Sequence, residues 1–373
     1  MDTEALLGAA EELIAIPSTA LRPDKLERAL AYVLDFVGDG FAVEYFESGG
    51  KPSALVHPEG TGPDYAVIFN AHLDVVDAAG AQFVPRRVDN RLYGRGAHDM
   101  KVSALVEALV FREAARNLEV PVALQLVTDE EVGGAHGTEY QLERGVSAGF
   151  VVIGEQTELK VVTASRGLLA ARLRAAGHTA HGAYPWLGDN ALLKITTSVD
   201  ALLARYPVPT KEAWRTTVNL ARIATDNEAF NTVPERAEAW LDIRYPPGDE
   251  DFDNRPAREV VAYLESFCAP GVWVEIDHAS PPHHVDPASP YVAALQAASR
   301  HAGYTGDLLR KHGSGDGRYY SARGMQAVAF GVGGAGQHGP DEYADIATIE
   351  PYHAALHEFL ATVTAIDAID PAP

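Results

Sequence analysis

Cysteine is nearly absent from this chain: Cys268 is the only one in 373 residues. An internal disulfide and any Cys-rich zinc site are thereby excluded. Positive charge is scarce beside negative. The 52 acidic residues outnumber the 30 basic ones, for a formal net charge of -22, which argues against nucleic acid and anionic membrane as partners. No uninterrupted apolar run reaches membrane-spanning length, and no short-period repeat or low-complexity segment occurs. The amino-terminal "MDTEALLGAAEELIAIPS" is acidic and reads as an amphipathic helix rather than a signal peptide. The default expectation is a cytoplasmic protein. What is present is an ordinary globular mixture, 47% hydrophobic and 22% charged, long enough to suggest two domains.

Strands and helices alternate over the first 160 residues. "YAVIFNA" (65–71), "PVALQLV" (121–127) and "GFVVIGE" (149–155) read as buried strands, and "KVSALVEALVFREAARN" (101–117) has helical apolar spacing. That order predicts βαβ units and an α/β fold with a mainly parallel mixed sheet flanked by helices. The pattern changes near residue 165. "GLLAARLRAAG" (167–177) alternates less cleanly, a helix follows at 190–206, strands at 216–225 and 237–246, a helix at 255–269 and a strand at 272–280. Strand-helix-strand-strand-helix-strand fits a small two-layer α+β sandwich. From about 285 the first pattern resumes. The expected division is one domain from residues 1–165 and 285–373, with a second, 166–284, inserted into it.

The stretch "LQLVTDEEVGG" (124–134) poses a physical question. Three consecutive carboxylates, Asp129, Glu130 and Glu131, follow directly on a core strand, where each charge risks desolvation. Parallel sheets carry their chemistry in loops at the carboxyl ends of strands, so the triplet sits where an active site belongs. "NAHLDVVD", "GRGAHDMK", "IGEQTE" and "AGQHGPDEY" likewise place His, Asp or Glu just after an apolar strand or before a helix. Singly, each is more often a helix cap or a satisfied polar residue; five together are hard to explain by capping. His72 and Asp74 are two apart, on one side of a continued strand, with His72 as a metal ligand and Asp74 as the carboxylate that orients its second nitrogen. Adjacent Glu130 and Glu131 would diverge in extended backbone. One can ligate a metal while the other takes a proton from the water the metal activates.

These segments resemble the dinuclear zinc hydrolases that include acetylornithine deacetylase, succinyl-diaminopimelate desuccinylase, aminoacylase and glutamate carboxypeptidase. "HLDVVD" is similar to that family's H-x-D-V-V-P, with Asp77 in place of proline, and "LYGRGAHDMK" to its L-Y-G-R-G-x-x-D-M-K. "TDEEVGG", "GEQTE", "NTVPERAEAWLDIR", "GSGDGR" and "HGPDEY" follow in the family's order. Two departures are a shortened segment between His72 and Asp99 and Gly315 where serine is frequent. The resemblance implies two zinc ions per chain, replaceable by cobalt. His72 and Glu155 would hold one, Glu131 and His338 the other, with Asp99 bridging and a cis peptide after it; Glu130 would be the general base, and Asp74 is counted with it among the catalytic residues. It makes 1–165 plus 285–373 the zinc-binding catalytic domain and 166–284 a lid and dimerisation domain. In the latter, His181, Asn231 and Arg244 match substrate-binding positions, His181 acting from the partner subunit of a homodimer. The implied reaction is hydrolysis of the amide bond of a small N-acyl amino acid, with acetylornithine or succinyl-diaminopimelate types leading.

Three other readings compete. Within the resemblance, a zinc carboxypeptidase or dipeptidase would take a short peptide instead; glutamate at position 155 favours the deacylases and glutamate-type carboxypeptidases. Outside it, "GVGGAG" (331–336) follows an apolar strand and fits G-x-G-x-x-G, which would suit a dinucleotide-binding oxidoreductase. The next residues are "QHGPDEY" rather than a helix, against that reading. A non-catalytic zinc-binding protein is disfavoured by Glu130, which no ligand set requires.

Overall fold

A computed structural model describes residues 1–118 and 120–367. The chain divides into two compact units. One comprises Met1–Thr163, His284–Arg310 and Gly315 to the end of the described chain; the other comprises Ala164–His283 and Lys311–Ser314.

The first unit is built on a mixed sheet. Its strands run in the order Ala42–Ser48, Lys51–His57, Val122–Val127, Asp64–His72, Ser147–Ile153, Gln326–Ala329, Val161–Ser165. The four central strands from Val122–Val127 to Gln326–Ala329 pair in parallel, and the pairs of Ala42–Ser48 with Lys51–His57, Lys51–His57 with Val122–Val127, and Gln326–Ala329 with Val161–Ser165 are antiparallel. Every residue of Val122–Val127 is buried, as expected of a strand covered on both faces. Two polar residues of these strands are linked: Asn70 donates to Gln125 at 3.0 Å, and Gln125 donates to Gln141 at 3.1 Å. Helix Val102–Ala114 is buried without interruption from Val102 to Phe111, the mark of a helix enclosed on all sides. Helices Thr3–Ile14, Pro23–Val37 and Ile349–Asp367 share its core. Among the described residues no helix is long and apolar enough to cross a membrane.

The second unit is an antiparallel sheet of four strands in the order Thr217–Ala224, Arg236–Tyr245, Gly167–Ala176, Val272–Ser280. Helices Ala191–Arg205 and Ala257–Glu265 cover one face and share a core with it. Asn190 caps the first helix by accepting from the Leu192 and Leu193 amides at 3.0 and 3.2 Å. Strand Gly167–Ala176, which the sequence showed as poorly alternating, alternates strictly between buried residues and half-buried or exposed ones. Alanine stands on both of its faces, at Ala170 outside and Ala171 inside, and this blurs the pattern in the letters.

Candidate active site

Register sets the level at which the functional segments leave the sheet. His72 stands opposite Val127 in parallel pairing, and Asn70 opposite Ile153. The three strands therefore end together, and the chain after them supplies Asp74, the Asp129–Glu131 triplet and Glu155. This is the carboxyl edge of a parallel sheet, where open α/β folds place ligands.

Asp99 comes from the turn Ala97–Lys101 that opens helix Val102–Ala114. Glu342, remote in sequence, holds that turn. Its Oε1 accepts from the Gly96, His98 and Asp99 amides at 3.0, 3.1 and 3.1 Å, while its other oxygen pairs with Arg95. Gly96 has φ +85°, and a Cβ there would lie 2.7 Å from Val75 Cγ1, so only glycine fits the approach. The buried Lys101 ammonium donates to the Leu13 and Ile16 carbonyls at 3.0 and 2.7 Å. The Asp99–Met100 peptide is cis.

The two oxygens of Asp99 face different groups. Oδ1 lies 3.0 Å from His72 Nε2, and Oδ2 lies 3.3 Å from His338 Nε2. His72 Nε2 is also 3.4 Å from Glu155 Oε1, and His338 Nε2 is 3.1 Å from Glu131 Oε2. Two sets of potential ligand atoms result, each within 4.8 Å of one another: His72, Glu130 and Glu155 in one, Asp99, Glu131 and His338 in the other. Glu130 and Glu131 diverge as expected, but from the turn Glu130–Val132 rather than from extended backbone. His338 is held at φ +59°, a conformation that side-chain-bearing residues enter only when their surroundings demand it.

Asp74 departs from the expected role. The Nδ1 of His72 is 3.0 Å from the Asp74 backbone oxygen and 3.6 Å from its carboxylate. That carboxylate instead accepts from the Glu130 and Glu131 amides at 3.2 and 3.0 Å. Asp74 thus orients His72 through its main chain and fixes the turn of both glutamates through its side chain.

The electrostatics call for added positive charge. Burial raises the Glu130 carboxyl well above its usual range, with Glu155 adding to the effect. Glu131 is pushed up to about 7, chiefly by burial. Burial works against an imidazolium at His72, yet Asp74, Asp99 and Glu155 outweigh it and hold the ring well above its ordinary value. His338 rises to about 8, chiefly through its hydrogen bond with Asp99. Four carboxylates sharing a site with two imidazoles repel one another at close range. Oxygen and nitrogen donors without thiolate, split by one carboxylate into two sets, fit a pair of divalent cations.

His181, Asn231 and Arg244 all lie in the second unit. The first two are exposed neighbours: His181 pairs with Thr232, and the Gly182 amide donates to the Asn231 carbonyl at 2.6 Å. Arg244 stands apart on strand Arg236–Tyr245, its fork already on Asp242 through contacts of 2.7 and 3.0 Å. Sequence reasoning quoted "HGPDEY" and "GSGDGR" but gave no role to Glu342, Asp316 or Arg318. Asp316 raises the Glu130 carboxyl, and the buried Arg318 feels the Glu130 charge. A Cβ on Gly315 would lie 3.8 Å from Glu130 Oε1, so its bareness leaves room beside that carboxylate. The "GVGGAG" glycines serve packing: a Cβ on Gly331 would come within 2.5 Å of the Gly154 oxygen and 2.6 Å of the Glu155 oxygen. Gly331 thus packs against the chain that presents Glu155, and the next element after residue 336 is the short strand Tyr343–Asp345 rather than a helix.

Residues 68–362 match the model of "Peptidase family M20/M25/M40". The chain is 28% identical over 368 residues to a succinyl-diaminopimelate desuccinylase of Bordetella petrii, covering 93% of this chain and 94% of that one. Its fold is similar to an M20 family metallo-carboxypeptidase of Sulfolobus solfataricus, with a TM-score of 0.75 at 17% identity over 98% of this chain and 100% of the other. It is similar also to a Bacillus subtilis dinuclear metal-binding peptidase of the M20 family, with a TM-score of 0.67 at 14% identity over 97% and 98% of the two chains. The chain is a hydrolytic metalloenzyme and belongs to peptidase family M20/M25/M40.

Proposed function

We propose that this enzyme hydrolyses the amide bond of a small N-acyl amino acid bearing a free α-carboxylate, the succinyl-diaminopimelate or acetylornithine type of substrate. The observation that carries this reading is the split of the Asp99 carboxylate between two ligand sets, with Glu130 belonging to one of them. His72 and Glu155 would hold one zinc ion, Glu131 and His338 the other, and Asp99 would serve both. Bound ions, zinc or cobalt, supply polarisation of the acyl carbonyl and a more acidic water.

The chain's own residues do the rest. Glu130 takes a proton from water as its oxygen bonds to the acyl carbon. It then delivers that proton to the amide nitrogen as the C–N bond breaks, and the remaining proton of the water passes from the new carboxylic acid to the released amine, leaving a carboxylate and an ammonium. Asp74 keeps the two adjacent glutamates turned apart. His181 would stabilise the oxyanion, and Arg244 with Asn231 would read the α-carboxylate. Two chains would pair through the second unit. A short peptide ending in a free carboxylate presents the same bond and charge, so a carboxypeptidase or dipeptidase is the second reading, favoured by the fold shared with the Sulfolobus enzyme.

A panel of N-succinyl and N-acetyl amino acids and dipeptides, assayed with zinc or cobalt added, tests both. Turnover of the acyl amino acids above the dipeptides is expected; the reverse order would replace the first reading by the second, and no hydrolysis of either class would overturn both.

A further inference from the structure

A second place in the first unit gathers metal-ligating side chains, remote in function from the site above. Helix Val102–Ala114 carries Glu113 near its carboxyl end, and helix Ile349–Asp367 carries His353 and His357 one turn apart. Residues four apart on a helix share a face. Both imidazoles turn Nε2 toward a single oxygen, Glu113 Oε2, at 2.7 Å from His353 and 2.9 Å from His357. The two rings lie 4.6 Å apart between centroids, and one ligand atom from each of the three residues falls within 4.8 Å of the others.

We infer that Glu113, His353 and His357 form a separate divalent-cation site, zinc being the ion the donor set suits, which clamps these two helices together. Two nitrogens and a carboxylate oxygen are the donors of a three-ligand zinc site that leaves a fourth position to water. Zinc with ligands at about 2.0–2.2 Å in tetrahedral array separates its donors by about 3.3 Å. The present contacts need to open by about half an ångström, a small rotation for side chains of this exposure. His353 is 13% exposed, His357 34% and Glu113 37%, so an ion reaches the site from solvent while one ring is fixed by packing. Burial chiefly, opposed by Glu113, holds His353 below its ordinary value. Glu113 is partly buried, yet the two imidazoles hold its carboxyl below the usual range.

The location gives the clamp a purpose. The same two helices are joined deeper in the core by Tyr352, whose hydroxyl donates to Glu107 at 3.1 Å. The helix bearing Glu113 begins directly after the turn that presents Asp99. A cation at its far end would brace the element on which that turn is built.

The competing account is a plain charge-assisted hydrogen bond between the helices, and metal content separates the two. Full-length enzyme, loaded with metal in its catalytic centre, is dialysed against excess zinc and analysed for zinc per chain, beside His357→Asn, Glu113→Gln and the His353→Asn/His357→Asn pair. One more zinc is expected in the parent than in the double variant, whatever number the catalytic centre holds, with turnover of the best substrate equal in both. Glu113→Gln, which keeps a hydrogen-bond acceptor, should lose the same zinc. His357→Asn, altering the more exposed ring, should weaken its binding by more than the roughly 10–100-fold typical of a lost supporting contact. Equal zinc in the parent and Glu113→Gln would overturn the site, and so would an extra zinc that persists in the double variant.

Discussion

Two arginine–carboxylate pairs, one in each unit, show how differently the units handle charge. In the first unit Arg95 and Glu342 meet with side chains 3% and 1% exposed. In the second, Arg172 grips Asp277 through contacts of 2.9–3.2 Å while both remain about a third exposed. The buried pair anchors three backbone amides around Asp99. The surface pair lies on a sheet face where Arg174 similarly holds Glu238 and Glu275. Buried charge is expensive unless fully partnered, so the first unit tolerates it only where each group has a task. Exposed pairs are worth little, and the second unit can accumulate them without consequence. A residue's importance therefore follows from its environment more than from its chemical type.

That contrast is broken most directly at Glu130. Glu130→Gln is nearly isosteric and removes only the proton acceptor. Turnover should fall by at least the roughly 10²–10⁴-fold that general acid–base catalysis supplies, while zinc content and Tm stay at parent values. Near-parental turnover would move the base elsewhere. Next in size is Arg95→Ala, which strands the buried Glu342 carboxylate. Loss of one partner of a buried pair costs about 3–5 kcal/mol. Denaturant unfolding should record that loss, and Asp99 should hold metal more weakly, read by zinc titration. A stability change under 1 kcal/mol would mean that water reaches Glu342 as easily as it reaches Asp277.

How much of this was legible beforehand divides along the same line. Periodicity and strand ends place the βαβ core, the inserted sandwich and the segments bearing His72, Asp99, Glu130, Glu131, Glu155 and His338, because a chain that buries several charges must surround them with apolar strands and glycine turns. The antiparallel flanks of the first sheet were not legible, since a short apolar strand reads the same in either direction. Asp74 was half legible: its spacing from His72 was visible, but its bonds to the amides of 130 and 131 depend on a turn that forms only in the fold. Glu342 was quoted within a motif and its role missed, because its partners lie some 245 residues away. The histidines at 353 and 357 show helical spacing, but nothing in sequence brings Glu113 to them.

Arg244 tests the second unit at an intermediate scale. If it reads the substrate's α-carboxylate, it must exchange or share its contact with Asp242. Arg244→Ala should then reduce kcat/KM for free N-acyl amino acids by about 1.5–3 kcal/mol, the scale of a charged hydrogen bond, and scarcely affect the corresponding amides, which should already be poor substrates. Arg244→Lys should be nearly as damaging, because an ammonium lacks the planar fork. Equal losses for acids and amides would assign Arg244 to the sheet surface, paired with Asp242 and nothing more.

The smallest expected effect sharpens the comparison furthest. Arg172 contacts Asp277 with three hydrogen bonds and lies 5.5 Å from the centre of the Trp240 ring. Counted as bonds, that is nearly as rich a set as the four that surround Glu342. Solvent decides otherwise. Both groups stay hydrated, the attraction acts through a high dielectric, and two long side chains must be ordered to make it. Asp277→Ala should therefore cost only about 0.2–1 kcal/mol, and most of that should vanish in 1 M salt, where the screening length shrinks to about 3 Å. Arg95→Ala, measured in the same buffers, should keep its larger cost at high salt, because ions do not enter where Glu342 lies. Paired unfolding curves at low and high salt thus read burial directly. Were Asp277→Ala as costly and as salt-insensitive as Arg95→Ala, the sheet face carrying Arg172 would have to be covered in solution, and charge on the second unit would obey the same rule as charge in the first.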